Sequence, residues 1–465
     1  MMRPLCLVSI LLCVISHAHA APQRDYSEFR DIFKELIETN TTHSAGSCTE
    51  AAHKMGERLK AAGYLDQDLH YFGVPEHPKD GGLVAILPGS DHRKPILLLA
   101  HLDVVEARRE DWSRDPFTLF EEGGYFYGRG TFDDKSMAAV WVDTLIRFKR
   151  EGFHPKRTVK MALTCGEETS TEGFEGAEYL ATKEPKLIEA DFALNEFAWG
   201  VLDAQGKRVA MEVQIGEKTS LNYELEVTNP GGHSSRPVKS NAIYTLAAAL
   251  ERLSDFSFPV DLNDTTRLYL TRMADIVGGD RGRDMRTLVA DSKDAPAAAR
   301  LSEDSRLNSL LHTTCVATML TAGHATNALP QRARANVNCR LLPGDTADNV
   351  RDTLQRVVSD PSVHVRVIEP LDPVVAAPPL RKDVMQPIEE VTRQFYPGIP
   401  VVPVMQAAAT DAAYIAVAGI PSYGVSGMFL DPDQSNVHGL NERIRVQSLY
   451  DGRDFLYALV RRYVN

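Results

Sequence analysis

Cysteine is scarce in this chain. Six occur in 465 residues, and two of them, Cys6 and Cys13, fall in an N-terminal apolar run. The other four, Cys48, Cys165, Cys315 and Cys339, are too few for the disulfide framework of a small secreted scaffold. No C-x-x-C pair offers a structural zinc site. Positive charge is also in deficit: Lys and Arg total 51 against 63 Asp and Glu, a net charge of −12. That excludes the basic faces by which proteins hold nucleic acid or an anionic membrane surface. After residue 20 no apolar run approaches the roughly 18 residues needed to span a bilayer. Glycine (31) and proline (26) have neither the abundance nor the period of a low-complexity or collagen-like chain. No internal repeat or coiled-coil heptad is present. What remains is an ordinary globular composition, 43% hydrophobic and 25% charged, with length enough for two or three domains.

The first twenty residues read as a targeting segment. Arg3 gives a short positive start, residues 5–15 are apolar, and Ala18-His19-Ala20 is a small-x-small cleavage site before Ala21-Pro22. This predicts a secretory signal peptide over 1–20 and a mature protein that is secreted or periplasmic. Leu12 before Cys13 does not fit a lipoprotein cleavage site, so no membrane association is expected after cleavage.

Beyond it, Phe29, Ile32, Phe33, Leu36 and Ile37 recur at helical spacing, and a second helix is predicted over 49–62, ending at Gly63. Short apolar strands at 83–87, 95–99, 159–165 and 192–194 alternate with helices at 136–149 and 176–182. That alternation predicts an α/β catalytic domain, a mostly parallel sheet flanked by helices. From Leu221 the pattern changes. Leu221, Tyr223, Leu225 and Val227 alternate with polar residues, as in a half-buried antiparallel strand. A helix at 241–253, a strand at 333–342, a helix at 346–358 and a strand at 364–368 complete a β-α-β-β-α-β-like unit. The α/β pattern resumes after Pro370. The chain therefore divides into 21–216 and 370–465, two parts of one catalytic domain, interrupted by a lid over 217–369. The segment 254–310, rich in Asp, Arg and Ser, is an insertion without a legible role.

Chemistry-bearing residues cluster where buried strands end. Leu97-Leu98-Leu99-Ala100-His101-Leu102-Asp103 places His and Asp just past one strand, where ligands bind in open α/β sheets. Gly128-Arg129-Gly130-Thr131-Phe132-Asp133-Asp134-Lys135 leads into a helix and lacks the spacing of a phosphate loop. Thr164-Cys165-Gly166-Glu167-Glu168 sets two carboxylates at the end of another strand, which is costly without a compensating cation. Cys165 could act as a nucleophile there, but the carboxylates explain the site better. Asn195-Glu196 repeats the strand-end carboxylate, and His438 stands in Asn436-Val437-His438-Gly439. Two histidines and several carboxylates suit zinc, with cobalt or manganese as chemical alternatives.

This ordered set resembles the co-catalytic di-zinc metallopeptidases that include glutamate carboxypeptidase, aminoacylase, succinyl-diaminopimelate desuccinylase and the carnosinases. The resemblance spans essentially the whole chain after residue 20. It implies a zinc-peptidase catalytic domain interrupted by a ferredoxin-like α+β lid, which in many members also forms a homodimer. It implies two zinc ions per subunit. His101, Asp133 and Glu196 match the ligands of one ion and Asp133, Glu168 and His438 those of the other, with Asp133 bridging. Asp103 matches the residue that orients the His101 ring, and Glu167 the general base. In the lid, Gly231-Gly232-His233-Ser234-Ser235 matches a motif whose His reaches the substrate carbonyl, often in the partner subunit's active site. Asn327 and Arg340 match positions that hold a substrate carboxylate. Ser136, Ala407-Ala408-Ala409-Thr410-Asp411 and Asn441 depart from the family pattern without removing a matched ligand or the base. The implied activity is a carboxypeptidase-type hydrolase of small peptides, with Glu167 moving the proton. Hydrolysis of N-acyl amino acids is the alternative, and a dipeptidase or aminopeptidase the third reading.

Overall fold

The protein is described by a computed structural model covering residues 25–465 apart from 170–172, 370–371 and 432. The expected signal peptide lies outside these residues.

The predicted first helix forms over Ser27–Glu38, and its five apolar residues are fully buried. The largest sheet has ten strands. At its centre Val159–Thr164, Ile96–His101, Phe192–Asn195 and Ser422–Gly424 run parallel in that spatial order. Toward the edges Leu69–Phe72, Gly82–Leu87 and Arg208–Glu217 pair antiparallel, so the sheet is mixed. The central strands read as continuous apolar runs because both faces are covered. Leu98 packs with the helices Ser27–Glu38, Lys135–Arg150 and Val446–Val464 on one face. Leu97 and Leu99 face Gly176–Thr182 and Ala412–Val417 on the other. Trp141 is fully buried, and its indole N–H donates to the Leu99 carbonyl at 3.0 Å. Trp141→Ala would cost about 3–5 kcal/mol, since transfer and cavity terms add.

The lid sheet is antiparallel, in the order Thr314–Ala322, Arg332–Leu341, Thr219–Thr228, Val363–Val367. The helices Ala242–Ser254 and Ala347–Val358 cover one face. This is the ferredoxin-like arrangement. The helices of the insertion, Asp264–Val277 through Ser305–Leu311, pack elsewhere. Their core joins Leu270, Met273 and Leu307 to Ala210, Val402 and Val404 of the large sheet, so they brace the catalytic sheet. Buried Lys218 ties them to the domain crossing. Its Nζ donates to the carbonyls of Ser309 and His312 at 3.0 and 2.8 Å.

The four cysteines are not free thiols. Cys48 bonds Cys165, and Cys315 bonds Cys339. The second pair joins directly opposed residues of adjacent lid strands. The first joins the start of helix Cys48–Ala61 to the residue after strand Val159–Thr164. Cys165 therefore has no thiolate to offer, and the bond fixes the chain just before the turn at Gly166.

Candidate active site

Each predicted ligand reaches one cleft because each sits just past a buried strand or before a buried helix. His101 ends Ile96–His101, Glu196 follows Phe192–Asn195, and Glu167 and Glu168 follow Val159–Thr164. The turn into that pair needs Gly166. Its φ is +109°, and a Cβ there would lie 2.3 Å from the Phe174 carbonyl oxygen. Asp133 precedes helix Lys135–Arg150. His438 comes from a loop some 300 residues later in the chain.

Asp133 stands between the two histidines. Its Oδ1 lies 3.0 Å from His101 Nε2 and its Oδ2 3.0 Å from His438 Nε2. His438 Nε2 is also 3.0 Å from Glu168 Oε1, and His101 Nε2 is 3.5 Å from Glu196 Oε2. Donors bound to one divalent ion at about 2.0–2.2 Å stand roughly 3.0–3.5 Å apart, so these separations fit a metal between them. The tautomer agrees. His101 Nδ1 lies 3.0 Å from the Asp103 carbonyl oxygen, which can only accept, so Nδ1 carries the hydrogen. Nε2 then faces carboxylate oxygens, so a second ring proton or a metal cation must lie between them. Buried Glu196 Oε1 and Asp134 Oδ2 have no hydrogen-bond partner among the described residues, and with the separations above the donor set fits two divalent ions.

Charge at the site follows the same logic. Burial, then neighbouring carboxylates, push Glu168 up to about 7. Burial raises Glu196 to about 8 against the pull of His101. Hydrogen bonds to Asp133 and Glu168 raise His438 to about 10. Asp133 is held below the carboxylate range, its burial overcome by the two imidazoles. Glu167 is raised well above its ordinary value by burial and by the Glu196 charge.

Backbone strain concentrates here. Of seven described non-glycine residues with positive φ, Phe197 and Ala198 follow Glu196, and Ser435, Asn436, His438 and Asn441 surround the second histidine. Left-handed non-glycine residues cost energy and persist where the surroundings enforce them.

Several supporting residues escaped the sequence reading. Glu442 is fully buried. Its Oε1 accepts the backbone N–H groups of Phe132 and Asp133 at 2.9 and 3.2 Å, and its Oε2 pairs with Arg129 at 2.7 Å. It thereby locks the Asp133 loop to the His438 loop. Asp134 offers a ligand atom near those of His101 and Glu196. Lys135 Nζ donates to the Thr39 carbonyl at 2.8 Å. Asp134 and Lys135 lie inside the 128–135 segment and Glu442 next to Asn441, but no role was read for any of them. Asp103 does more than orient a ring, since its Oδ2 accepts the Glu168 N–H at 2.9 Å.

A cleft of about 220 Å³ opens beside the cluster, lined by Asp133, Glu167, Glu168, His438, Arg340 and the Thr410–Asp411 loop, among others. Arg340 projects from strand Arg332–Leu341 and has no hydrogen bond or ion pair among the described residues. His233 and Asn327 are elsewhere. They lie together on an exposed lid tip, where the Ser234 N–H donates to the Asn327 carbonyl at 3.0 Å. Neither lines the cleft of its own chain.

Comparison with known proteins fits this geometry. The model of Peptidase family M20/M25/M40 matches residues 97–462. The N-fatty-acyl-amino acid synthase/hydrolase PM20D1 of Mus musculus is 30% identical over 397 residues, 81% of this chain and 75% of that protein. The probable carboxypeptidase S-like 2 of Dictyostelium discoideum is 30% identical, over 79% of this chain and 71% of its own length. Among solved structures, the M20 family metallo-carboxypeptidase Sso-CP2 from Sulfolobus solfataricus shares the fold. Its TM-score is 0.69 at 18% identity, covering 94% of this chain and 99% of that one.

Proposed function

The chain belongs to peptidase family M20/M25/M40 and is a metallohydrolase of that family; from this premise we propose that it hydrolyses an amide bond whose nitrogen belongs to an amino acid with a free α-carboxylate. One observation carries the reading. Arg340 presents an unpaired guanidinium to the same cleft as Glu167 and Asp133. Its planar fork matches a carboxylate in a bidentate way. Carboxypeptidase action on small peptides is the form we favour. The N-acyl amino acid form is supported by the PM20D1 relatives.

Two zinc ions held by His101, Asp133, Glu168, Glu196 and His438, with cobalt or manganese as substitutes, would supply Lewis-acid polarisation and a more acidic water. The chain's own residues do the rest. Arg340 holds the substrate carboxylate and so sets which amide faces Glu167. The Glu167 carboxylate takes a proton from the attacking water and delivers it to the departing amine nitrogen. Asp103 holds the His101 ring and the Glu168 backbone in register.

His233 and Asn327 complete the cleft from a second copy in this reading. The lid's edge strand Thr314–Ala322 leaves Val316, Met319 and Leu320 more than half exposed, and an exposed apolar edge invites strand pairing. Secretion or a periplasmic location is supported by the Arg3-to-Ala20 pattern and by two disulfides, which persist in oxidising compartments.

The test is a panel assay of metal-loaded protein on N-blocked dipeptides, their C-terminal amides, free dipeptides and N-acyl amino acids. Free-acid substrates should turn over and their amides should not. Equal hydrolysis of acids and amides would overturn carboxylate recognition and favour an aminopeptidase.

A further inference from the structure

The hydrolytic reading leaves one wall of the metal cleft without a task. Arg340 and Glu167 line that cleft together with Asp372 and Tyr414. Strand Arg332–Leu341 of the lid supplies Arg340, the stretch returning from the lid supplies Asp372, and helix Ala412–Val417 supplies Tyr414. Ala408, Ala409 and Ala413 also line the cleft, and their small side chains fill little of it.

Asp372 differs from the other acids there. Asp133 and Glu168 belong to the metal cluster, and Glu167 is the base. Glu175 Oε1 accepts the Ala177 N–H at 2.8 Å, and Asp411 Oδ2 accepts the Thr164 hydroxyl at 2.5 Å. The second oxygen of each is enclosed by the protein. Asp372 is only half-buried. Its Oδ1 accepts the Tyr414 hydroxyl at 3.3 Å, which fixes how the carboxylate is turned. Its Oδ2 has no hydrogen-bond partner among the described residues and is not enclosed. Burial raises Asp372, against the pull of the Tyr414 hydrogen bond and the Arg340 charge. Burial likewise lowers Arg340, and the charges of Asp372 and then Glu167 oppose it. Arg340 thus lies within the field of an acid that has no part in the hydrolysis.

That neighbour discriminates between ligands. One that brings only a carboxylate to Arg340 also brings it toward Asp372, which repels it. One that carries a cation as well satisfies both side chains. The α-nitrogen of the bound amino acid is the nitrogen of the scissile amide and carries no charge, so the cation must stand on the side chain. Building on the carboxylate reading at Arg340, we propose that Asp372, set by Tyr414, selects a cationic side chain on the amino acid that the reaction releases, pairing with a lysine- or arginine-type group while Arg340 holds the α-carboxylate. An aliphatic side chain of the same length gains no such pair, and an acidic one is repelled.

The experiment compares kcat/KM of the metal-loaded full chain on N-blocked dipeptides ending in lysine, norleucine, Nε-acetyl-lysine and glutamate, each as free acid and as amide. Norleucine is lysine without its ammonium. Lysine should exceed norleucine about ten-fold or more, the worth of one charged hydrogen bond. Nε-acetyl-lysine should fall to the norleucine level or below, and glutamate should be the poorest. Asp372→Asn should bring the lysine-to-norleucine ratio close to one with metal content unchanged. The acetyl-lysine comparison needs no variant and decides the matter if Asp372→Asn does not fold. An equal loss on every substrate in that variant, with the ratio kept, would make Asp372 a support for Arg340 and overturn the proposal. Norleucine turnover with no lysine preference would overturn it and leave carboxylate recognition standing. Failure of every free acid, or equal turnover of acids and amides, would overturn both.

Discussion

At Glu167 a raised carboxyl and a neighbouring cation site work against each other. Burial and the Glu196 charge hold its proton on, and bound divalent ions would offset those charges and free it to act as base. Glu167→Gln should therefore keep metal content, read by atomic absorption, while kcat falls by about 10²–10⁴-fold. Loss of metal in that variant would exchange the roles of Glu167 and Glu168. Arg340→Lys keeps the charge and loses the fork. KM for free-acid substrates should rise about ten-fold or more, with metal content unchanged. The titrating residues also make a stability prediction for chelated protein. Glu168 is raised to about 7 and Glu196 to about 8. A raised folded-state pKa stabilises below the unfolded value and loses that contribution as pH rises through the folded one. His438, raised to about 10, acts in the same direction. The melting temperature of EDTA-treated protein should fall from pH 6 to pH 9, and metal-loaded protein should show a flatter profile. A rise over that range would contradict the buried, cation-deficient cluster.

The elements carry these side chains because hydrophobic periodicity fixes where each strand stops. Leu97 to Leu99 and Met161 to Leu163 are buried runs, and the charged or imidazole groups that follow each within a few residues must lie near the sheet's end, so His101 and the Glu167–Glu168 pair were legible in the sequence. Alternation along Arg332–Leu341 likewise set Arg340 on the face of Asn336 and Asn338, away from the buried Ala335 and Val337. Long-range pairing had no such signal. Nothing local joins Glu442 to Phe132, or Cys48 to Cys165 across 117 residues, since those contacts depend on tertiary packing. The insertion was illegible for the same reason. Its helices are amphipathic, but their partner, strand Val401–Gln406, comes about a hundred residues later. The Cys48–Cys165 bond ends one residue before Gly166 and thus holds the Glu167–Glu168 turn. Replacing both cysteines with alanine should cost about 2–4 kcal/mol in denaturant unfolding and lower kcat in the surviving folded protein. A variant with lower stability and unchanged kcat would make the bond a staple for the fold alone.

For the molecule as a whole, the lid poses a geometrical question. Arg340, at one end of its strand, reaches the metal cleft of its own chain, whereas His233 and Asn327 sit together on an exposed tip. The lid sheet is cross-linked by Cys315–Cys339 and packed on two helices, which opposes bending that would bring both ends to one site. Either the lid swings as a body about the crossings at Gly216 and Ala377, or the tip serves a second copy. An isologous dimer through the Thr314–Ala322 edge would exchange the tips reciprocally. Mixing inactive variants separates the two. His233→Ala and Glu167→Gln each remove one part of a site, and a mixed dimer that exchanges tips rebuilds one complete site of its two. Half the dimers in an equimolar, fully exchanged mixture are mixed, so activity should recover to about a quarter of wild type. A lid that closes only on its own chain gives no recovery, because every site then lacks either its histidine or its base. Gel filtration of the same mixture checks that dimers formed, so an absence of recovery in confirmed dimers would assign the tip to its own cleft.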